Sequence, residues 1–121
     1  MPEVLDQSAL ASLLEMVGGD PDFVDDLIDT FLADVPGQLA ELRVAVATRM
    51  AADALRPAHT LKGTAATIGA RAVEATSRSI EEAARAGSVD GLEAQVGELE
   101  RALEDLETVL IDARARRWAA A

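Results

Sequence analysis

The chain has 121 residues, of which 50% are hydrophobic and 2% aromatic, and it contains no cysteine. This length suits one domain, and the scarcity of aromatic residues argues against a β-sandwich or barrel. Without cysteine, disulfides, zinc–thiolate sites and thiol nucleophiles are excluded. The net charge of −11 disfavours nucleic acid and anionic membranes as partners. No apolar run could span a bilayer, and the N-terminus lacks signal-peptide features, so we expect a cytoplasmic protein.

Apolar spacing and capping residues predict five helices and no strand. Asp6 caps the first helix, which ends at the glycine pair of residues 18–19. Pro21 begins a second helix that continues to about residue 48, with a kink near Pro36. The apolar residues of this helix keep one phase across Pro36: Val24, Ile28, Phe31, Val35, Leu39, Leu42 and Val46.

The third helix is predicted from about Ala52 to Ile68, with Gly69 as its C-cap, and the fourth over about 70–86. The fifth begins near Asp90. Its apolar residues alternate four and three apart in a heptad pattern: Leu92, Val96, Leu99, Leu103, Leu106, Leu110 and Ala113.

Five helices with short connections predict an all-α fold, an up-down antiparallel four-helix bundle with an additional short N-terminal helix. We expect a single domain over residues 1–121 with its core over about 20–117. The heptad face of the fifth helix could instead pair two chains. The bundle needs that face, so we expect a monomer.

The only histidine and the only lysine of the chain lie three residues apart on the third helix. His59 lies opposite the predicted buried stripe, so we expect it to face solvent or a partner. Arg56, Lys62 and Gly63 are its neighbours at the spacings that meet on a helix surface. Ala52 and Ala66 complete the ring of neighbours around His59.

An exposed, neutral imidazole has a free nitrogen lone pair and can act as a nucleophile. Lys62, and at longer reach Arg56, could neutralise a phosphoryl group placed on His59. General acid–base chemistry is less favoured because no second polar residue is placed to form a dyad with His59. A metal site is less favoured still, because only carboxylates remain as further ligands. A solvated surface histidine with no role is the remaining alternative.

Residues 58–70, AHTLKGTAATIGA, resemble the signature of histidine-containing phosphotransfer (HPt) domains. The resemblance implies a stand-alone domain with a helical-bundle fold. It implies that His59 is the phosphorylated residue and that Lys62 steadies the phosphoryl group. Gly63 would be the small residue that lets a receiver domain approach. The partner-binding surface would comprise Ala52, Leu55, Arg56 and Ala66.

The partners implied by the resemblance are response-regulator receiver domains and a hybrid histidine kinase. The receiver would supply Mg²⁺, and the chain itself would need no cofactor and no metal. No nucleotide-binding motif is present, so we expect a phosphocarrier and not an ATP-dependent kinase. One alternative is a docking module of the same fold that accepts no phosphate, and another is a helical adaptor that self-associates through the fifth helix.

The chain departs from some members of this family on the helix after the motif. Those members place a glutamine there that hydrogen-bonds to the phosphohistidine. Here no glutamine lies between Ser77 and Glu81. A carboxylate at Glu81 is expected to repel a phosphate and not to hold it.

Overall fold

A computed structural model describes residues 2–115, which form five α-helices and no strand. The helices are α1 (Gln7–Met16), α2 (Pro21–Thr48), α3 (Ala52–Ile68), α4 (Arg71–Arg85) and α5 (Leu92–Ala115). The predicted all-α fold is confirmed, and the predicted helix limits lie close to the observed ones. The expected end of the core at residue 117 lies outside the described residues.

Aspartate side chains cap the starts of α1 and α2, the first of them as predicted. The carboxylate of Asp6 accepts hydrogen bonds from the backbone N–H groups of Ser8 and Ala9 at the start of α1. Asp20 does the same for Asp22 at the start of α2. These side chains satisfy backbone donors that have no partner within the helix.

The helix α2 is continuous through Pro36, as its apolar phase predicts. Four residues of the predicted stripe are buried: Val24, Ile28, Phe31 and Leu42. The other three are half-buried and pack against the core: Val35, Leu39 and Val46. The kink near Pro36 stays a prediction.

Helices α2 to α5 form a ring in which each helix packs against two of the other three. Both α2 and α4 contact α3 and α5, while α1 packs against α3 and α2. Arg114 near the end of α5 pairs with Asp25 near the start of α2, at 3.2 Å between Nε and Oδ1. Glu100, earlier in α5, pairs with Arg43, later in α2. These pairings show that α2 and α5 run in opposite directions.

The core is aliphatic apart from Phe31 and lies along the axis of this ring. The heptad residues of α5 are all buried within the chain: Leu92, Val96, Leu99, Leu103, Leu106, Leu110 and Ala113. Self-association through α5 would need this face, which the bundle already covers. Among the helices of residues 2–115, none combines the length and the apolar character that crossing a membrane requires.

The turn between α3 and α4 is fixed to the segment before α1. Gly69 ends α3 with a φ of 81°, and its carbonyl accepts a 2.7 Å hydrogen bond from the N–H of Asp6. A Cβ on Gly69 would lie 2.7 Å from the Cβ of Ala9 and 2.9 Å from the carbonyl oxygen of Asp6. Both the left-handed backbone and the close packing therefore require glycine here.

We expect Gly69→Ala to lower the free energy of unfolding by about 1–3 kcal/mol, through backbone strain and the contact with Asp6. Gly63→Ala is a matched comparison, because Gly63 lies within α3 and a Cβ there meets nothing within 4 Å. This change should raise the free energy of unfolding by about 0.5–1 kcal/mol. Urea denaturation of both variants measures the difference, and equal effects of the two changes would contradict the prediction.

Candidate functional site

His59 lies on the outer face of α3, and 63% of its side chain is exposed. The opposite face of α3 is buried, as predicted, through Ala54, Ala58, Leu61, Ala65 and Ile68. The amphipathic pattern of one helix thus places the imidazole at the surface of the bundle.

Two shallow hollows flank the imidazole. The first is lined by His59 with Leu27, Thr60, Gly63, Thr64, Thr67 and Ile68. The second is lined by His59 with Ala52, Leu55, Arg56 and Arg85. The structure therefore brings Gly63 and three of the four predicted partner-binding residues beside His59. The fourth, Ala66, is half-buried and lines neither hollow.

The position of Gly63 leaves open space next to the imidazole. A Cβ on Gly63 would meet no atom within 4 Å outside its own helix, so packing does not require glycine there. Glycine in a helix costs stability relative to alanine. Glycine at this position leaves one side of the imidazole uncovered.

The structure shows contacts of the Glu81 carboxylate on α4 that the sequence did not predict. The Glu81 side chain is 1% exposed. Its Oε2 accepts a hydrogen bond from Nδ1 of His59, and its Oε1 accepts one from Nζ of Lys62 at 2.5 Å. Nη2 of Arg85 lies 3.4 Å from Oε2. The expectation that no second polar residue forms a dyad with His59 is therefore wrong.

Lys62 and His59 keep Glu81 ionised despite its burial. Hydrogen bonds from Lys62 and then from His59 lower the pKa of Glu81 from 4.5 to about 2. Burial alone would raise this pKa, and the charges of Arg85 and Lys62 lower it further. Glu81 is therefore a carboxylate, and not a carboxylic acid, at neutral pH.

An ionised Glu81 fixes the tautomer of the histidine. A carboxylate can only accept hydrogen bonds, so Nδ1 of His59 carries the proton and donates it to Oε2. The lone pair is then on Nε2, the nitrogen that Glu81 does not contact. Lys62, whose side chain is 25% exposed, is bound to the carboxylate next to His59.

The lowered pKa of Glu81 predicts how stability depends on pH. A carboxylate with a folded-state pKa of about 2 contributes fully above its ordinary value of 4.5 and loses this contribution as the pH falls toward 2. Glu81→Gln removes this ionisation. We expect the difference in free energy of unfolding between wild type and variant to shrink on acidification from about pH 6 to about pH 3. Urea denaturation at several pH values measures it, and a constant difference would contradict the prediction.

The chain belongs to the Hpt domain family, whose sequence profile matches residues 26–109. The matched region contains His59, Lys62, Gly63 and Glu81. A search of curated protein sequences gives no match to the chain.

Solved structures of HPt proteins are similar to this one. Histidine-containing phosphotransfer protein B (HptB) from Pseudomonas aeruginosa is 29% identical with a TM-score of 0.84, over 93% of this chain and 96% of that one. The maize phosphotransfer protein ZmHP2 is 20% identical with a TM-score of 0.81, over 98% of this chain and 88% of that one. The HPt domain of a sensor hybrid histidine kinase from Shewanella is 19% identical with a TM-score of 0.72, over 92% and 97%. The last two likenesses concern the fold alone.

Family membership supports phosphotransfer in two-component signalling as the general activity of the chain. HPt proteins carry phosphoryl groups and are not kinases, and HPt domains interact with receiver domains and hybrid kinases.

Proposed function

We propose that the chain is a phosphorelay carrier that accepts a phosphoryl group on Nε2 of His59 from a receiver-domain aspartate. It then passes the group to the aspartate of another response regulator. The observation that supports this most directly is the arrangement of the imidazole. Nε2 lies on an exposed ring, while Nδ1 is held by the buried carboxylate of Glu81.

The transfer step needs only the lone pair of Nε2 and no base. Nε2 attacks the phosphorus of the aspartyl phosphate and forms the N–P bond. The bond between phosphorus and the aspartate oxygen breaks, and its electron pair leaves with the receiver's carboxylate. The proton on Nδ1 stays in place, so the phosphorylated ring carries a positive charge. Transfer to the second receiver reverses these steps.

Glu81 stabilises the positive ring that this step produces. Its carboxylate accepts a hydrogen bond from the Nδ1–H group, and this bond strengthens as the ring gains positive charge. The contact also holds the ring so that Nε2 faces outward. Glu81 therefore supports phosphorylation of His59, in contrast to the repulsion expected from its charge alone.

Lys62 supplies positive charge at the same place. Lys62 follows His59 by about one helical turn, and its Nζ donates a hydrogen bond to Oε1 of Glu81. Nζ can keep this bond while it donates another to a phosphoryl oxygen. A lysine ammonium has three donors and no acceptor, so both contacts are compatible.

The receiver would dock over the exposed residues around the imidazole. Gly63 leaves room on one side, and Ala52, Leu55 and Arg56 surround the hollow on the other. We propose that the receiver brings the Mg²⁺ and that the chain supplies no cofactor. Action as a monomer in the cytoplasm stays a prediction.

The first test is phosphorylation of His59 itself. Wild type incubated with a phosphorylated receiver domain and Mg²⁺ should gain one acid-labile phosphoryl group, and His59→Gln should gain none. Both should retain binding to the receiver, measured by titration calorimetry. Phosphate that survives acid, or undiminished labelling of His59→Gln, would contradict the proposal. An unlabelled wild type that still binds the receiver would support the docking-module alternative.

The second test concerns the space beside Gly63. Gly63→Arg should retain the fold, because the new side chain extends into open space. It should slow phosphoryl transfer at least ~10-fold, because the side chain obstructs the approach of the receiver. Gly97→Arg is the control. Gly97 lies on α5, which does not pack against α3.

Thermal unfolding followed by circular dichroism shows whether both arginine variants are folded. We expect transfer to Gly97→Arg at the rate of wild type. Equal rates for Gly63→Arg and wild type would show that the receiver does not approach over Gly63.

A further inference from the structure

We propose that Arg85 binds the phosphoryl group on His59 as a second cation beside Lys62, an inference that rests on the proposed function. Arg85 is the last residue of α4 and lies outside the motif of residues 58–70. It lines, together with His59, the hollow that also contains Ala52, Leu55 and Arg56. A group on Nε2 would project from an imidazole that borders this hollow.

The contacts of Glu81 place Arg85 next to the histidine. Oε2 of Glu81 accepts a hydrogen bond from Nδ1 of His59, and Nη2 of Arg85 lies 3.4 Å from the same oxygen. Lys62 is bound to the other oxygen, Oε1. Of the two permanent cations around this carboxylate, Arg85 is the one that shares an oxygen atom with the imidazole.

Arg85 also has the freedom to bind a second anion. Its side chain is 58% exposed, against 25% for Lys62. Its 3.4 Å contact is longer than an ordinary N–H···O hydrogen bond of about 2.7–3.2 Å. A guanidinium has five N–H donors in a planar fork that matches phosphate oxygens. Arg85 can therefore donate to a phosphoryl group while one nitrogen stays near Glu81.

The charges of the cluster support the same conclusion. In the form that has a lone pair on Nε2, the cluster of His59, the Glu81 carboxylate, Lys62 and Arg85 carries one positive charge. Phosphorylation adds about two negative charges on the phosphoryl group and one positive charge on the ring. The phosphorylated cluster is then close to neutral. Without Arg85 it would carry about one negative charge, and the phosphoryl group would lie near a buried carboxylate with one cation fewer between them.

The experiment compares Arg85→Ala with Arg78→Ala. Arg78 is a matched control, because it also lies on α4, is 53% exposed and donates from Nη2 to a glutamate four residues earlier, Glu74, at 3.3 Å. The measurement is the rate at which a phosphorylated receiver domain labels each variant. We expect Arg85→Ala to slow labelling ~10-fold or more, because it removes a charge-assisted hydrogen bond to the phosphoryl group. Arg78→Ala should be labelled at the rate of wild type. Arg85→Lys should recover part of the rate.

A double variant separates direct binding from an effect through Glu81. If Arg85 binds the phosphoryl group, Arg85→Ala also slows labelling when it is added to Glu81→Gln. If Arg85 only neutralises the carboxylate, the loss disappears in that background, and the inference is overturned. Equal rates for Arg85→Ala and Arg78→Ala overturn it as well. These outcomes require a labelled wild type, whereas an unlabelled wild type contradicts the proposed function itself.

Discussion

The candidate site depends on one buried carboxylate, Glu81, and on the three nitrogen groups around it. An ionised carboxylate in a protein interior costs several kcal/mol unless it is paired and hydrogen-bonded. His59, Lys62 and Arg85 supply this pairing. The same contacts join α3 to α4, hold the imidazole in one orientation and leave Nε2 free. The contact between α3 and α4, the charge balance of the cluster and the orientation of the imidazole therefore depend on a single side chain.

The buried faces of α3 and α4 combine small side chains with larger ones such as Leu61 on α3 and Ile80 on α4. The inward residues Ala58 and Ala65 on α3 and Ala84 on α4 are buried and occupy little volume. Helices that meet through small residues can approach closely. The Glu81 side chain reaches from α4 to the nitrogen atoms of His59 and Lys62 on α3. The hydrogen bond from the N–H of Asp6 to the carbonyl of Gly69 fixes the turn that joins these helices.

Much of this could be predicted from the sequence, and the part that was missed has a physical reason. The exposure of His59 follows from the apolar period of α3 alone, which requires no knowledge of its neighbours. The contact with Glu81 depends on how α4 is rotated against α3, which the pattern of one helix does not determine. The sequence did contain a signal for the burial of Glu81, because its spacing places it on one helix face with Ser77 and Ala84. In the structure all three residues are buried. From its charge alone Glu81 was expected only to repel a phosphate, and the packed bundle showed its burial and its partners.

The open space beside Gly63 has a consequence for selection experiments. Natural proteins rarely have the most stable residue at every position, and helical glycine is a common place for improvement. A library of this chain selected for thermal stability alone would be expected to replace Gly63 with better helix formers. Larger replacements would cover the imidazole while the bundle became more stable. Retention of glycine at this position under such selection would require a simultaneous demand for activity.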